Sequence, residues 1–240
     1  MKILQIIFLL FIIHYSSTYA ATPTESRERV LSLSTAEIKT KIISISKKNS
    51  SNLDNFALIR KKLNPLVDEL RKRQDLDSEE SLSRKIGVWK QLWTDDSDDI
   101  RANNFFQSID REQTYQIVFE GGLFYNLTVL KTPIGKFSGF LRGLYSVSPK
   151  DEKVLNLEFT SLRLKRGSLP VAGELLSLTS NLEEGMTGSF GLPFGLERSP
   201  RGPVGAKGNI ETIYIDEDLR VDLGQNFADG VVDLFVLVKE

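Results

Sequence analysis

The stretch that decides the fold is Glu211-Thr-Ile-Tyr-Ile-Asp-Glu-Asp-Leu-Arg-Val-Asp-Leu-Gly224, followed by a loop and then Val231-Val-Asp-Leu-Phe-Val-Leu-Val-Lys-Glu240. Ile213, Ile215, Leu219, Val221 and Leu223 are apolar positions broken by acids and by Arg220, which predicts a strand. Leu234 to Val238 is wholly apolar and predicts a second strand joined to the first by a turn. A run this apolar at the end of a chain has to pair and be covered. The expected partner is the tryptophan-bearing segment near Gly87, which would close a sheet or barrel.

Working outward, Gly87-Val-Trp-Lys-Gln-Leu-Trp93 predicts a strand with Trp89, Gln91 and Trp93 on one face. Glu112 to Glu120 sets Tyr115, Ile117 and Phe119 on one side, and Gly121-Gly122 is a hairpin signal. Leu123 to Lys131 returns as the next strand. Thr132-Pro-Ile-Gly135 turns the chain into Lys136–Ser146, where Gly139 and Gly143 suit a strongly bent strand. Val154 to Leu164 is a further strand, and Leu175 to Leu178 a short one. Short strands joined by tight turns, with no helices between, predict a mainly β chain folded as an antiparallel meander or barrel.

Two helices are expected ahead of it, within residues 35–80. The first starts at Thr35 and carries Ile38, Ile42, Ile43 and Ile45. In the second, Asn52 or Asp54 is the cap and Phe56, Ile59 and Leu63 form one face. Asn64-Pro65 is read as a restart with proline in the first turn, and Leu66, Val67 and Leu70 continue the stripe. The pair predicts a helical hairpin packed on the β domain. Its polar face mixes both signs, which speaks against a membrane-surface helix.

The chain has 240 residues, 40% of them hydrophobic, and a formal net charge of −1. That composition fits a globular domain with a core and gives no electrostatic footprint for nucleic acid. Residues 1–20 read as a secretory-type signal: Lys2, an apolar run from Ile3 to Ile13, and Thr18-Tyr-Ala20 as the cleavage site. Residues 21–34 read as an exposed leader. The single histidine, His14, lies in the signal, and the chain has no cysteine. The mature chain is therefore expected to lack the residues for Ser-His-Asp or Cys-His nucleophilic sites, ordinary zinc sites and disulfides. Neither a catalytic set, nor a metal site, nor a cofactor motif is read from it.

Residues 185–208 carry seven glycines and three prolines without periodicity, together with Phe190, Leu192, Phe194 and Leu196. The apolar residues favour a flap over a cavity mouth, or a membrane-facing lip, rather than a linker.

Several motifs together resemble the plastid lipid-associated protein family, the fibrillins. They are Gly87-Val-Trp-Lys-Gln-Leu-Trp-Thr94, the Gly139–Tyr145 segment, Leu192-Pro193, Tyr214-Ile-Asp-Glu-Asp-Leu-Arg-Val221 and Leu234-Phe-Val-Leu-Val-Lys239. The resemblance covers residue 53 to the C-terminus. Where family members continue the Leu-Arg segment with a second basic residue, this chain has Val221-Asp-Leu-Gly224. The resemblance implies a lipocalin-like β-barrel over residues 87–240, and binding or sequestration of lipophilic molecules at thylakoids or lipid globules. It implies no reaction and brings no catalytic residues.

In such a barrel Trp89 is expected to plug the closed end, with Arg220 across its ring. Trp93, Tyr115, Ile117, Phe119, Tyr125, Phe140, Phe159 and Phe235 are the candidates to line a cavity. An eight-stranded barrel can be filled by its own side chains or hold one small ligand, and both remain open at this point. Asp95, Asp96, Asp98 and Asp99 read as a solvated turn, lacking the spacing of a calcium loop. Asp216 and Asp218, two apart on a strand, read as barrel-edge structure. Asn126-Leu-Thr128 matches a glycosylation sequon, but lies mid-strand.

The expected function is non-catalytic binding of a carotenoid, quinone, fatty acid or membrane lipid, with a membrane or lipid-globule surface as a partner. The rivals are an assembly scaffold with a filled barrel and a histidine-free enzyme acting on a lipid or isoprenoid. The leader gives a route: to a plastid in a photosynthetic eukaryote, otherwise to a periplasm or thylakoid lumen.

Overall fold

The computed structural model describes residues 30–50, 55–75, 77–96, 108–151, 153–183, 204–228 and 230–240. Residues 1–29, with the signal, and the residues Asn52, Asp54, Asp98, Asp99, Phe190, Leu192, Phe194 and Leu196 lie outside them. Eight strands close into an up-and-down antiparallel barrel in chain order. They are β1 (Gly87–Thr94), β2 (Ser108–Val118), β3 (Leu123–Thr132), β4 (Gly135–Val147), β5 (Val154–Arg166), β6 (Lys207–Ile215), β7 (Leu219–Asn226) and β8 (Val232–Lys239). β8 pairs with β1, from Trp89↔Lys239 to Thr94↔Phe235, so the apolar C-terminal run does meet the tryptophan strand.

The described helices are α1 (Thr35–Lys48), α2 (Phe56–Arg73), α3 (Ser78–Lys85) and α4 (Ala172–Glu183). α1 begins with a capping box, in which the Ser34 hydroxyl accepts from Glu37 N and the Glu37 carboxylate accepts from Ser34 N. α1 and α2 pack together over the outer face of β6, β7, β8 and β1. Ile38, Ile42, Ile59, Leu63 and Leu70 meet Leu219, Val221, Leu234 and Val236 there. Each such side chain removed from water contributes about 1.5–3 kcal/mol.

The structure departs from the sequence reading at four places. Glu211–Gly224 is not one strand but the end of β6, a turn and most of β7. Asp216 makes that turn, accepting from the backbone N–H of Asp218 and of Leu219, each at 2.9 Å. Leu175–Leu178 is helical, not a strand. It lies in α4, whose Leu175, Thr179 and Leu182 recur at helical spacing and are buried. α2 runs unbroken through Pro65 instead of restarting there, with Asn64 accepting from Arg60 Nε at 2.8 Å. Finally, α3 falls in a segment too charged to show an apolar face; Asp77 caps it by accepting from Glu80 N at 2.8 Å.

Candidate functional site

The two faces of the barrel wall are told apart by reach. Arg220 on β7 bonds Gln116 on β2 and lies over Trp89 on β1. Strands three apart bring side chains together only where they converge, inside the barrel. Alternation from these anchors turns Thr114, Gln116 and Val118 of β2 inward, with Phe124, Asn126 and Thr128 of β3. Gln116 donates to Asn126 Oδ1 at 3.1 Å, and Thr114 bonds Thr128 at 3.3 Å. The register then carries the inward face to Leu141 and Leu162, to Gly139 and Leu164, and to Gly143 and Phe159.

In an up-and-down barrel, all even-numbered strands end at one rim and all odd-numbered strands at the other. At the first, lower rim lies a buried ionic cluster. Trp89 is fully buried and donates its indole N–H to the Lys85 carbonyl at 2.8 Å. The Arg220 guanidinium is 5.0 Å from the ring centroid and the Lys239 ammonium 4.5 Å. Arg220 pairs with Asp222 at 2.9 Å, and Asp222 also accepts from the Thr212 hydroxyl at 2.7 Å. Burial lowers the pKa of Arg220 against the pull of Asp222, and burial lowers that of Lys239, with Arg220 adding to it. Lys85 is pulled down to about 8, first by burial, with Asp222 raising it and Arg220 lowering it. A cavity of about 20 Å³ lies beside this cluster, bounded by Lys85, Gln116, Phe124, Tyr145, Leu157 and Ile210 among others. That is space for a water or a group of similar size.

The upper half of the interior is different. Leu130, Leu141, Phe159, Leu162 and Leu164 face inward yet are only half-buried, so solvent reaches them. The wall explains this. β5 pairs with β6 only over Val154–Glu158, and two further bonds join Phe159 to Gly205 and Ala206. Beyond that, among the described residues, Thr160–Arg166 pairs with β4 alone. Glycines make room in this wall. An added Cβ on Gly143 would stand 2.3 Å from the Phe124 ring, and one on Gly224 2.7 Å from the Phe235 ring.

The cavity candidates fall into three groups. Phe159 and Phe235 face the interior: Phe159 packs on Phe124 with ring centroids 5.5 Å apart, and Phe235 packs in the Trp89 cluster. Tyr115, Ile117, Phe119, Tyr125 and Phe140 face outward and pack with Leu175 and Leu182 of α4 and with Leu169 just before it. Their alternation is genuine, but the helix, not a ligand, covers it. Trp93 also leaves the interior. The register shifts between Gln91 and Trp93, which turns Trp93 away from the Trp89 face and onto Phe56 of α2, with ring centroids 6.4 Å apart. Leu141, Leu162, Leu164, Gln116 and Asn126 were missed as interior residues. Their only signal was the opposite parity of the same strands.

Of the acids singled out from sequence, Asp95 and Asp216 hold elements together. Asp95 takes Arg60 of α2 in a two-oxygen bond, at 2.9 and 2.7 Å, and accepts from Leu234 N at 2.7 Å. Asp216 pairs with Lys39 of α1 and accepts from the Tyr214 hydroxyl. Burial would raise the Asp216 pKa, but the bonds from Lys39, Leu219, Asp218 and Tyr214 win, and it is lowered. Asn126 points into the barrel, mid-strand. Among the described residues no three potential metal-ligating side chains come together, and no helix is long and apolar enough to cross a membrane.

The PAP_fibrillin family model matches residues 41–237. The chain belongs to this family. The match takes in most of α1, all of α2 and α3, and the barrel almost to its end, so the PAP_fibrillin unit includes the helices that cover β6–β8 and β1. No curated protein and no solved structure matches the chain.

Proposed function

We propose that this PAP_fibrillin protein binds a lipophilic molecule in the upper half of its barrel, without catalysis, at the surface of a photosynthetic membrane or lipid globule. The observation that carries the reading is the inward apolar row Leu130, Leu141, Phe159, Leu162 and Leu164, which remains in contact with solvent beside the edge of β5 that pairs only with β4 among the described residues. Apolar surface left accessible in a concave wall is what a hydrophobic guest covers, at roughly 25 cal/mol per Å². Gln116, Asn126 and Thr128, on the strands beside the row, would orient the guest's polar end. Trp89 and Arg220 seal the lower rim, and the inward carboxylate Asp222 is held by Arg220 and Thr212, leaving it poorly placed as a general base.

Two further features support the surface role. The turns at the upper rim expose Ile134 (75%) and Phe227 (55%), with Val231 and Val232 beside them. Lys131 and Lys136 lie near the same rim and share one carboxylate, Asp110, at 3.2 and 3.5 Å, which leaves an excess of positive charge for acidic headgroups.

Native mass spectrometry of the protein purified gently from its own cells, with extraction of what accompanies it, tests this. We expect a stoichiometric lipid, quinone or carotenoid, lost in Leu162→Glu and Leu164→Glu variants that keep their fold. An empty protein whose tryptophan emission also ignores a panel of such molecules would overturn the reading in favour of a filled-barrel scaffold.

A further inference from the structure

The lower rim of the barrel carries an unbalanced charge. Lys85 and Arg220 gather there around one carboxylate, Asp222, with Lys239 beside Arg220. Two of the three cations have partners. Arg220 has Asp222, Gln116 and the Trp89 ring. Lys239 donates to the carbonyls of Ile86 and Arg84 and lies over the same ring. Lys85 is 4% exposed, yet its ammonium makes no hydrogen bond or ion pair among the described residues. The ammonium is not fully enclosed by protein, so what fills the adjoining cavity can reach it. It lines the cavity of about 20 Å³, whose other walls include the apolar Val118, Phe124, Leu155, Leu157 and Ile210.

Gln116, Tyr145, Arg220 and the Asp222 carboxylate complete the lining; because two cations there face one carboxylate and the remaining walls are hydrocarbon, we infer that this cavity is a carboxylate site, in which Lys85, backed by Arg220, receives the anionic end of a monocarboxylic acid. The geometry discriminates among anions. The space takes a group of about a water's size, so a carboxylate oxygen can stand there against Lys85 while a phosphate ester with its substituents is excluded. The apolar walls suit the carbons adjoining a carboxylate and offer nothing to a second charge. The single carboxylate on the cluster, Asp222, is spent on Arg220 and Thr212 and does not reach Lys85 as an ion pair. A carboxylate can come from a free short acid or from the end of a fatty acid whose chain rises past Phe124 and Phe159 into the upper half. The site stands without a lipophilic guest; only the long-chain source rests on the function proposed above.

The test uses the full chain, with ¹³C-carboxyl acetate and ¹³C-carboxyl laurate as probes, read by NMR, and tryptophan emission as a second readout because Trp89 adjoins the cluster. Wild type should shift the carboxyl resonance of a bound probe, and acetate should raise its thermal midpoint by mass action. Lys85→Met should weaken carboxylate binding roughly ten- to a hundredfold, the range set by loss of a charge-assisted bond, and should abolish the acetate effect on the midpoint. Lys85→Arg, which keeps the charge, should retain part of both. Acetate binding without laurate binding supports the site and counts against the lipophilic guest. Laurate binding whose carboxyl resonance and affinity ignore Lys85→Met supports the guest and overturns the site. Failure of both probes to sense Lys85 in wild type also overturns it.

Discussion

Replacing Lys85 by methionine should stabilise this protein, and the gain should depend on pH in a defined way. The lysine amine is buried beside two other cations, and its pKa falls from 10.5 to about 8. At 1.36 kcal/mol per pH unit, that drop corresponds to about 3 kcal/mol of folding free energy carried as a penalty while the amine is charged. The unfolded chain keeps Lys85 protonated up to about pH 10.5, the folded protein only to about pH 8. Between those values the unfolded state binds more protons, so stability rises with pH across the window, and below pH 8 the full penalty applies. Lys239, also lowered by burial and by Arg220, acts with the same sign. Tyr115, Tyr145 and Tyr214 have raised values and act with the opposite sign, but only above about pH 10, where the unfolded phenols ionise.

Methionine matches the length of the lysine stem and tolerates an irregular apolar wall. Urea unfolding, followed by tryptophan emission between pH 7 and 9.5 in buffer free of added carboxylate, is the assay. Wild type should gain about 2 kcal/mol across that range, while Lys85→Met should start about 2–3 kcal/mol higher at pH 7 and stay nearly flat. A wild-type profile that is flat or falling from pH 8 to 9.5, or a methionine variant less stable than wild type at pH 7, would refute the assignment of a buried, unpartnered ammonium.

Other expectations follow from the same wall. Arg220→Met leaves Asp222 buried with only Thr212, and should cost about 3–5 kcal/mol in chemical unfolding. Gly143→Ala drives a Cβ into the Phe124 ring and should cost about 1–3 kcal/mol, whereas Gly139→Ala, whose Cβ would meet Leu164 at an ordinary 3.4 Å, should cost less. Asp95→Ala removes the acceptor shared by Arg60 and Leu234 N, and should lower the thermal midpoint by loosening α2 from β8. Ile134→Asp with Phe227→Asp should weaken sedimentation with lipid vesicles while leaving the midpoint near wild type, because both side chains are exposed.

Much of the wall was legible in sequence because strand periodicity survives whatever covers it. The closure of β8 on β1 followed from one apolar terminal run and one tryptophan strand. What alternation could not give was which parity faces inward. In most barrels the apolar parity lines the interior, and on that rule Tyr115, Ile117, Tyr125 and Phe140 became cavity candidates. Here α4 covers that parity from outside, and α1 and α2 do the same for Leu219, Val221, Leu234 and Val236. α4 itself was hidden because Leu175-Leu-Ser-Leu178 is too short to separate a strand from a helix. The bulge after Gln91 likewise has no sequence mark, and it alone moves Trp93 from the Trp89 face to α2.

The misplaced parity has a physical consequence. With helices burying the apolar parity outside, the inward parity is freed from forming the main core and can hold polar groups. That is where Gln116, Asn126, Thr114 and Thr128 lie, with Arg220 and Asp222 beneath them. Gln116 pairs with Asn126 and Arg220, and Thr114 with Thr128, so these inward polar groups meet one another across the wall. A barrel whose stability rests on its outer faces can keep an accessible interior, and can tolerate the stretch of β5 that pairs only with β4 among the described residues, because the helices outside hold the sheet closed. The two halves of the interior then take separate roles. The lower is fixed by Trp89 stacked with Arg220 and Lys239. The upper exposes Leu141, Leu162 and Leu164, residues whose substitution should change what the barrel binds far more than whether it folds.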